Sequence, residues 1–145
     1  MSVTDWQTFI SQTDERMGSL RGGIPGVTKG FHEVARSAIK AGALDSKTKE
    51  LMALAIGIAA RCDGCLAYHS KAAAKYGATR EEIMETIGVA VYMGGGPSMI
   101  YGAEALAAFD SLDKSQSIRN PTTPITRIAN RTPAMSRLFH SIQDK

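Results

Sequence analysis

Residues 45–69 read DSKTKELMALAIGIAARCDGCLAYH, and this segment decides the fold class. Asp45 and Ser46 are good N-cap residues, because a short side-chain oxygen can accept a free backbone N–H of the first helical turn. The run that follows holds Leu51, Ala53, Leu54, Ala55, Ile56 and Ile58. It shows no polar–apolar alternation, so it predicts a helix over 47–60 rather than a strand. Being apolar nearly all round, that helix should be central. Asp63-Gly64 interrupts or re-aims the chain, and a further helix is expected to about Tyr76, stopped by Gly77. The two helices should pack as an antiparallel hairpin turning about Arg61–Gly64.

Outward from this hairpin the signals remain helical. Residues 4–20 place Trp6, Phe9, Ile10, Met17 and Leu20 at loose helical spacing, and Gly22-Gly23-Ile24-Pro25-Gly26 is expected to break the helix. A second helix is expected over 27–41, with Phe31, Val34, Ala35, Ala38 and Ile39 on one face and Gly42 closing it. Thr79-Arg80-Glu81-Glu82 has the form of a capping box and opens a helix through Met93. Gly94-Gly95-Gly96 forms a bend that lets two helices pack closely. Pro97 suits the first turn of a helix ending near Leu112. No stretch alternates convincingly as a strand and no internal repeat is visible, so the expectation is an all-α domain over 1–113. The remainder, 114–145, shifts toward Ser, Asn, Pro and Thr and reads as an arm or linker, with a short terminal helix over Thr132–Ile142. Such an arm either lies on a neighbouring subunit or is partly disordered.

Composition narrows the function classes. A chain of 145 residues is long enough to bury a core without disulfides or metal to staple it. Net charge is only +3, no Lys/Arg stripe forms, and aromatics are 6%, so a nucleic-acid surface is not indicated. The longest apolar run, Leu51 to Ala60, is about half of the roughly 20 residues a bilayer span requires. The start, MSVTDWQ, lacks the basic and apolar regions of a signal peptide. A soluble cytoplasmic protein is therefore expected. In that compartment two cysteines point to redox or metal chemistry before a structural bridge.

The chemistry concentrates at Cys62, Cys65, His69 and Glu50. Cys62 and Cys65 are three apart, so at a helix start they share a face and their sulfurs can bridge with little backbone movement. A thiolate placed there gains from free N–H groups and the helix dipole. His69, four residues beyond Cys65, can accept the proton that Cys65 must lose. In the antiparallel hairpin Glu50 comes to the level of His69 and can orient its imidazole. Arg61 adds positive potential beside Cys62. Other readings of the same residues stand: inert core thiols, a merely hydrogen-bonded His69 with Glu50 solvated, or a zinc site. The zinc site would draw on Cys62, Cys65, His69 and His32. Thioredoxin-like chemistry on its own fold does not fit, because no βαβ pattern is present. The glycine run lacks the GK[ST] ending of a phosphate loop, and Met93 and Met99 near it read as core filling.

Lys47-Thr48-Lys49-Glu50-Leu51, Cys62-Asp63-Gly64-Cys65, Tyr68-His69 and Tyr92-Met93-Gly94-Gly95-Gly96-Pro97 together resemble the carboxymuconolactone decarboxylase superfamily, within it the alkylhydroperoxidase (AhpD-like) branch. The resemblance covers about residues 27–112. It implies an all-helical fold of six to seven helices, assembled as trimers or hexamers, and a peroxidase that needs neither metal nor bound cofactor. Carried over, Cys65 is the peroxidatic cysteine and Cys62 resolves it as a disulfide. An external dithiol or disulfide reductant protein then restores the pair, and Glu50 and His69 with a water form the proton relay. One position departs from the branch, which carries a histidine directly before the second cysteine where this chain has Gly64. Lactone decarboxylation through Glu50 and His69 is the alternative activity, and a redox-responsive protein without turnover is another.

Overall fold

A computed structural model describes residues 5–119, with side chains described through Ser111. Helices make up the whole framework of the described residues: α1 (Trp6–Gly23), α2 (Pro25–Ile39), α3 (Ser46–Ala59), α4 (Asp63–Lys75), α5 (Arg80–Gly94) and α6 (Gly96–Arg119). The all-α expectation holds. The expected terminal helix over Thr132–Ile142 lies outside the described residues, as does most of the arm over 114–145.

The local signals that start helices act as read. Asp45 caps α3, its side chain accepting the Thr48 N–H at 2.7 Å. Thr79 and Glu82 close a reciprocal capping box at the start of α5. The Thr79 amide and Lys47 Nζ both donate to the Glu82 carboxylate, which holds Glu82 below and Lys47 above its ordinary pKa. Pro97 sits in the first turn of α6. Gly95 holds φ 67°, a left-handed conformation that glycine adopts without penalty, and the chain turns there from α5 into α6.

Three boundaries differ from expectation. Gly22 and Gly23 do not break the first helix; both are helical and only Ile24 separates α1 from α2. Pro25 occupies the first helical position of α2, where its missing N–H costs nothing, so the proline and not the glycines sets this corner. The α3–α4 break falls at Arg61-Cys62, and Asp63-Gly64 already belong to α4. Helix α6 runs to Arg119, past the expected end near Leu112. Lys114 to Arg119 includes neither Gly nor Pro to break it.

The core forms where α3, α4, α5 and α6 pack on one another. It contains Leu54, Ile58, Leu66, Ala67, Ala73, Ile83, Ala90, Ala105, Ala108 and Phe109, with Trp6 and Ile10 of α1 closing one side. The many alanines let helix axes approach closely. Helix α3 is central in its contacts but not buried all round, since Met52 and Ile56 face outward. Helix α2 buries none of its residues, and Val27, Phe31 and Val34 stand exposed along it. Tyr92, Met93, Met99 and Ile100 form a second exposed apolar group at the α5–α6 corner; Met93 and Met99 are therefore not core filling. No described helix is long and apolar enough to cross a membrane.

Candidate active site

The α3–α4 hairpin is built by a Schellman turn. Arg61 N–H donates to the Ile58 carbonyl and Cys62 N–H to the Gly57 carbonyl, both at 3.1 Å. The residue in the left-handed position of such a turn is usually glycine; here it is Arg61, at φ 55°. A non-glycine residue in that region is held by its surroundings, and it places an exposed guanidinium immediately before the cysteines.

Cys62 is the N-cap of α4. Its Sγ accepts the Cys65 N–H at 3.1 Å, and the two cysteines are joined as a disulfide with Cα atoms 5.2 Å apart. Three-residue spacing at a helix start thus brings both sulfurs together at the positive end of the α4 dipole. Both cysteines are half-buried and neither belongs to the buried core cluster. That location does not fit the reading as inert core thiols.

His69 stands one turn beyond Cys65 on α4. Its Nδ1 lies 2.7 Å from Glu50 Oε2 of α3. A carboxylate only accepts, so Nδ1 carries the proton and donates it, which in the neutral ring leaves Nε2 free to accept one. Glu50 is 93% removed from solvent by its side chain's 7% exposure, while the His69 side chain is 32% exposed. The arrangement is therefore a buried carboxylate orienting a partly open imidazole, and the reading of Glu50 as a solvated group does not hold.

The structure brings Glu50, Cys62, Cys65 and His69 onto one hairpin. It does not bring His32 to them. Among the described residues no three His, Cys, Asp or Glu side chains group in a way that could hold a metal ion. A surface hollow of about 740 Å³ lies between α2 and the start of α3. It is lined by Glu33, Arg36, Lys40 and Tyr76 among others and includes none of the hairpin residues.

One contact beside the site carries no sequence signal. Tyr68, between Leu66-Ala67 and His69, donates its hydroxyl to Asp14 Oδ1 of α1 at 2.6 Å. Partial burial, and then the carboxylate it meets, push the Tyr68 phenol up to about 12. The pair ties α1 to the helix that carries Cys65 and His69. A hydrogen bond across 54 residues has no local pattern by which it could be found.

The sequence profile of the carboxymuconolactone decarboxylase family matches residues 25–108, the stretch from α2 into α6. The chain belongs to the carboxymuconolactone decarboxylase family. A crystal structure of a family protein from Legionella pneumophila superposes with a TM-score of 0.72 at 46% identity, covering 74% of this chain and 96% of that one. A Thermotoga maritima protein superposes with a TM-score of 0.71 at 28% identity, covering 77% and 98%. A second crystal structure of that protein, in which a role in antioxidative response was suggested for it, gives 0.59 at 33% identity over 63% and 94%. An uncharacterised Cupriavidus necator protein is 34% identical over 111 residues, 77% of this chain and 98% of its own length. Helix α1 precedes the stretch that the family profile matches, and the Tyr68–Asp14 bond ties it to α4.

Proposed function

We propose that this family member is a thiol-dependent hydroperoxidase of the AhpD-like type, reduced by an external dithiol. The observation that carries the reading is the 2.7 Å Glu50–His69 contact on the same hairpin as the Cys62–Cys65 disulfide. The antioxidative role suggested for the Thermotoga relative agrees with it.

In the reduced protein, His69 Nε2 takes the proton of the Cys65 thiol, directly or through water, while Glu50 holds the Nδ1 proton. The Cys65 thiolate attacks the terminal oxygen of ROOH. An S–O bond forms, the O–O bond breaks, and His69 returns its proton to the departing alkoxide, giving ROH and a Cys65 sulfenic acid. The Cys62 thiol then attacks that sulfur, water leaves, and the Cys62–Cys65 disulfide forms. A dithiol reduces it by exchange and is itself oxidised to a disulfide. The sum is ROOH plus dithiol giving ROH, water and the oxidised reductant. No bound cofactor enters, and the two partners are the hydroperoxide and the dithiol reductant.

A homo-oligomer, a trimer or hexamer, is part of this reading. The exposed side chains of Val27, Phe31 and Val34 on α2 and of Tyr92, Met93, Met99 and Ile100 support it, because apolar groups clustered this way on a monomer mark contact surfaces.

The test is peroxide consumption with a small dithiol. Cys65→Ser should abolish turnover, and His69→Ala should slow it by about 10²-fold or more, the usual contribution of a positioned acid–base group. Turnover of a lactone substrate that survives with both cysteines changed to serine would instead assign proton transfer by Glu50 and His69, the decarboxylase-type alternative.

A further inference from the structure

Gly57 lies on α3 two turns beyond Glu50, on the same face, and is fully covered by α4. A Cβ placed on it would come within 2.8 Å of Cys65 Cβ, and within 3.8 Å of the Cys65 backbone. Two carbon atoms of real side chains do not approach to 2.8 Å, and neither can swing aside, because a Cβ is fixed by its backbone. The Gly57 carbonyl meanwhile accepts the Cys62 N–H at 3.1 Å. One residue therefore touches both cysteines, through its bare Cα on one side and its carbonyl on the other. Alanine is the better helix former at a position with helical backbone, and Gly57 does not hold a positive φ. The backbone does not call for glycine here; the Cys65 contact does.

We propose that Gly57 is a positioning residue for the Cys62–Cys65 pair, setting how closely the first turn of α4 seats against α3. This rests on the thiol chemistry proposed above and extends it to a residue that touches neither substrate nor reductant. Any side chain at 57 moves the first turn of α4 outward. The Cys62 amide then loses the Gly57 carbonyl, and the turn that aims the Cys65 N–H at the Cys62 sulfur is disturbed. N–H donation and the helix dipole favour a thiolate, so their misalignment raises the pH at which the pair becomes reactive. The Glu50–His69 contact, made between the same two helices, stretches with it.

The experiment compares Gly57→Ala with Gly88→Ala, a control at an exposed helical glycine where an added Cβ meets nothing within 4 Å. The readout is the pH profile of iodoacetamide alkylation of the reduced pair, with helical circular dichroism as the check of folding. Gly57→Ala is expected to alkylate at least tenfold more slowly at neutral pH, with its midpoint moved upward, while Gly88→Ala follows the wild type. A folded Gly57→Ala with the wild-type profile overturns the proposal. If Gly57→Ala does not fold, the same change is made in a Cys65→Gly background, which removes the opposing Cβ. Recovery of the folded state there supports the contact, and failure to recover overturns it. Alkylation needs no peroxide, so a wild type without peroxidase turnover would sink the proposed activity and still leave the role of Gly57 decided.

Discussion

Glu50 of α3 and His69 of α4 meet at 2.7 Å, 19 residues apart in the chain, with the carboxylate buried and the imidazole a third open to solvent. The asymmetry of burial makes the two partners unequal in stability. Glu50 without His69 is a covered charge with no partner, whereas His69 without Glu50 can turn to water. His69→Ala should therefore destabilise the fold by about 1–3 kcal/mol in urea denaturation. Glu50→Gln, which keeps a hydrogen-bonding oxygen, should cost less. The order reverses if the carboxylate is in truth solvated.

Arg61 holds a left-handed conformation that costs an ordinary residue about 1–2 kcal/mol and glycine little. Glycine gives back part of this through the greater freedom of its unfolded chain. Arg61→Gly should leave stability within about 1 kcal/mol of wild type or raise it. The exposed guanidinium should show instead in kinetics. Reduced Arg61→Gly should react several-fold more slowly with an anionic aromatic disulfide at low salt, and the difference should fade at high salt. A salt-independent difference would mean the turn, not the charge, had changed.

Tyr68 has its phenol pushed up to about 12, by burial first and by the Asp14 carboxylate next. A raised acid binds its proton more tightly when folded than when unfolded. Its contribution to stability is thus fully present below an unfolded value near 10 and is lost as pH rises through about 12. An alkaline titration should show late tyrosinate formation together with loosening of α1. Tyr68→Phe should remove that dependence between the two values. Unchanged alkaline behaviour in Tyr68→Phe would show that another group controls it.

Gly64 has open space around it, and an added Cβ meets nothing within 4 Å. It lies in the first turn of α4 with no positive φ, so a larger residue can be accommodated. Gly64→His, placing the histidine of the branch this chain resembles, should fold with stability equal to wild type or greater by about 0.3 kcal/mol. It should also raise the rate of thiol reaction with hydroperoxide. A loss of stability would show that the open space is needed by a partner.

The hairpin that carries the site was legible because its signals are local. The N-cap Asp45, the apolar run and the Glu50–Cys62–Cys65–His69 register need only helix geometry and one antiparallel turn. Asp63-Gly64 predicts the break, since glycine usually marks such turns. The chain uses Arg61 instead, and Cys62 takes the capping role. The glycines of 22–23 misled for the same reason: a glycine permits a break without requiring one, and the decisive constraint was Pro25. Amphipathic patterning gave the apolar face of α2 but not whether this chain itself would cover it. Gly57 and the Tyr68–Asp14 tie were invisible because their partners lie across a helix interface, where sequence spacing carries no information.

The most direct measurement adds one equivalent of cumene hydroperoxide to the reduced protein and follows free thiols and intact mass, in wild type and in Cys62→Ser. Wild type should lose both thiols and about two mass units as the disulfide forms, and Cys62→Ser should gain one oxygen trapped as a sulfenic acid on Cys65. Thiols that remain reduced in both proteins, or oxygen that appears on Cys62 in a Cys65→Ser protein, would contradict the proposed function.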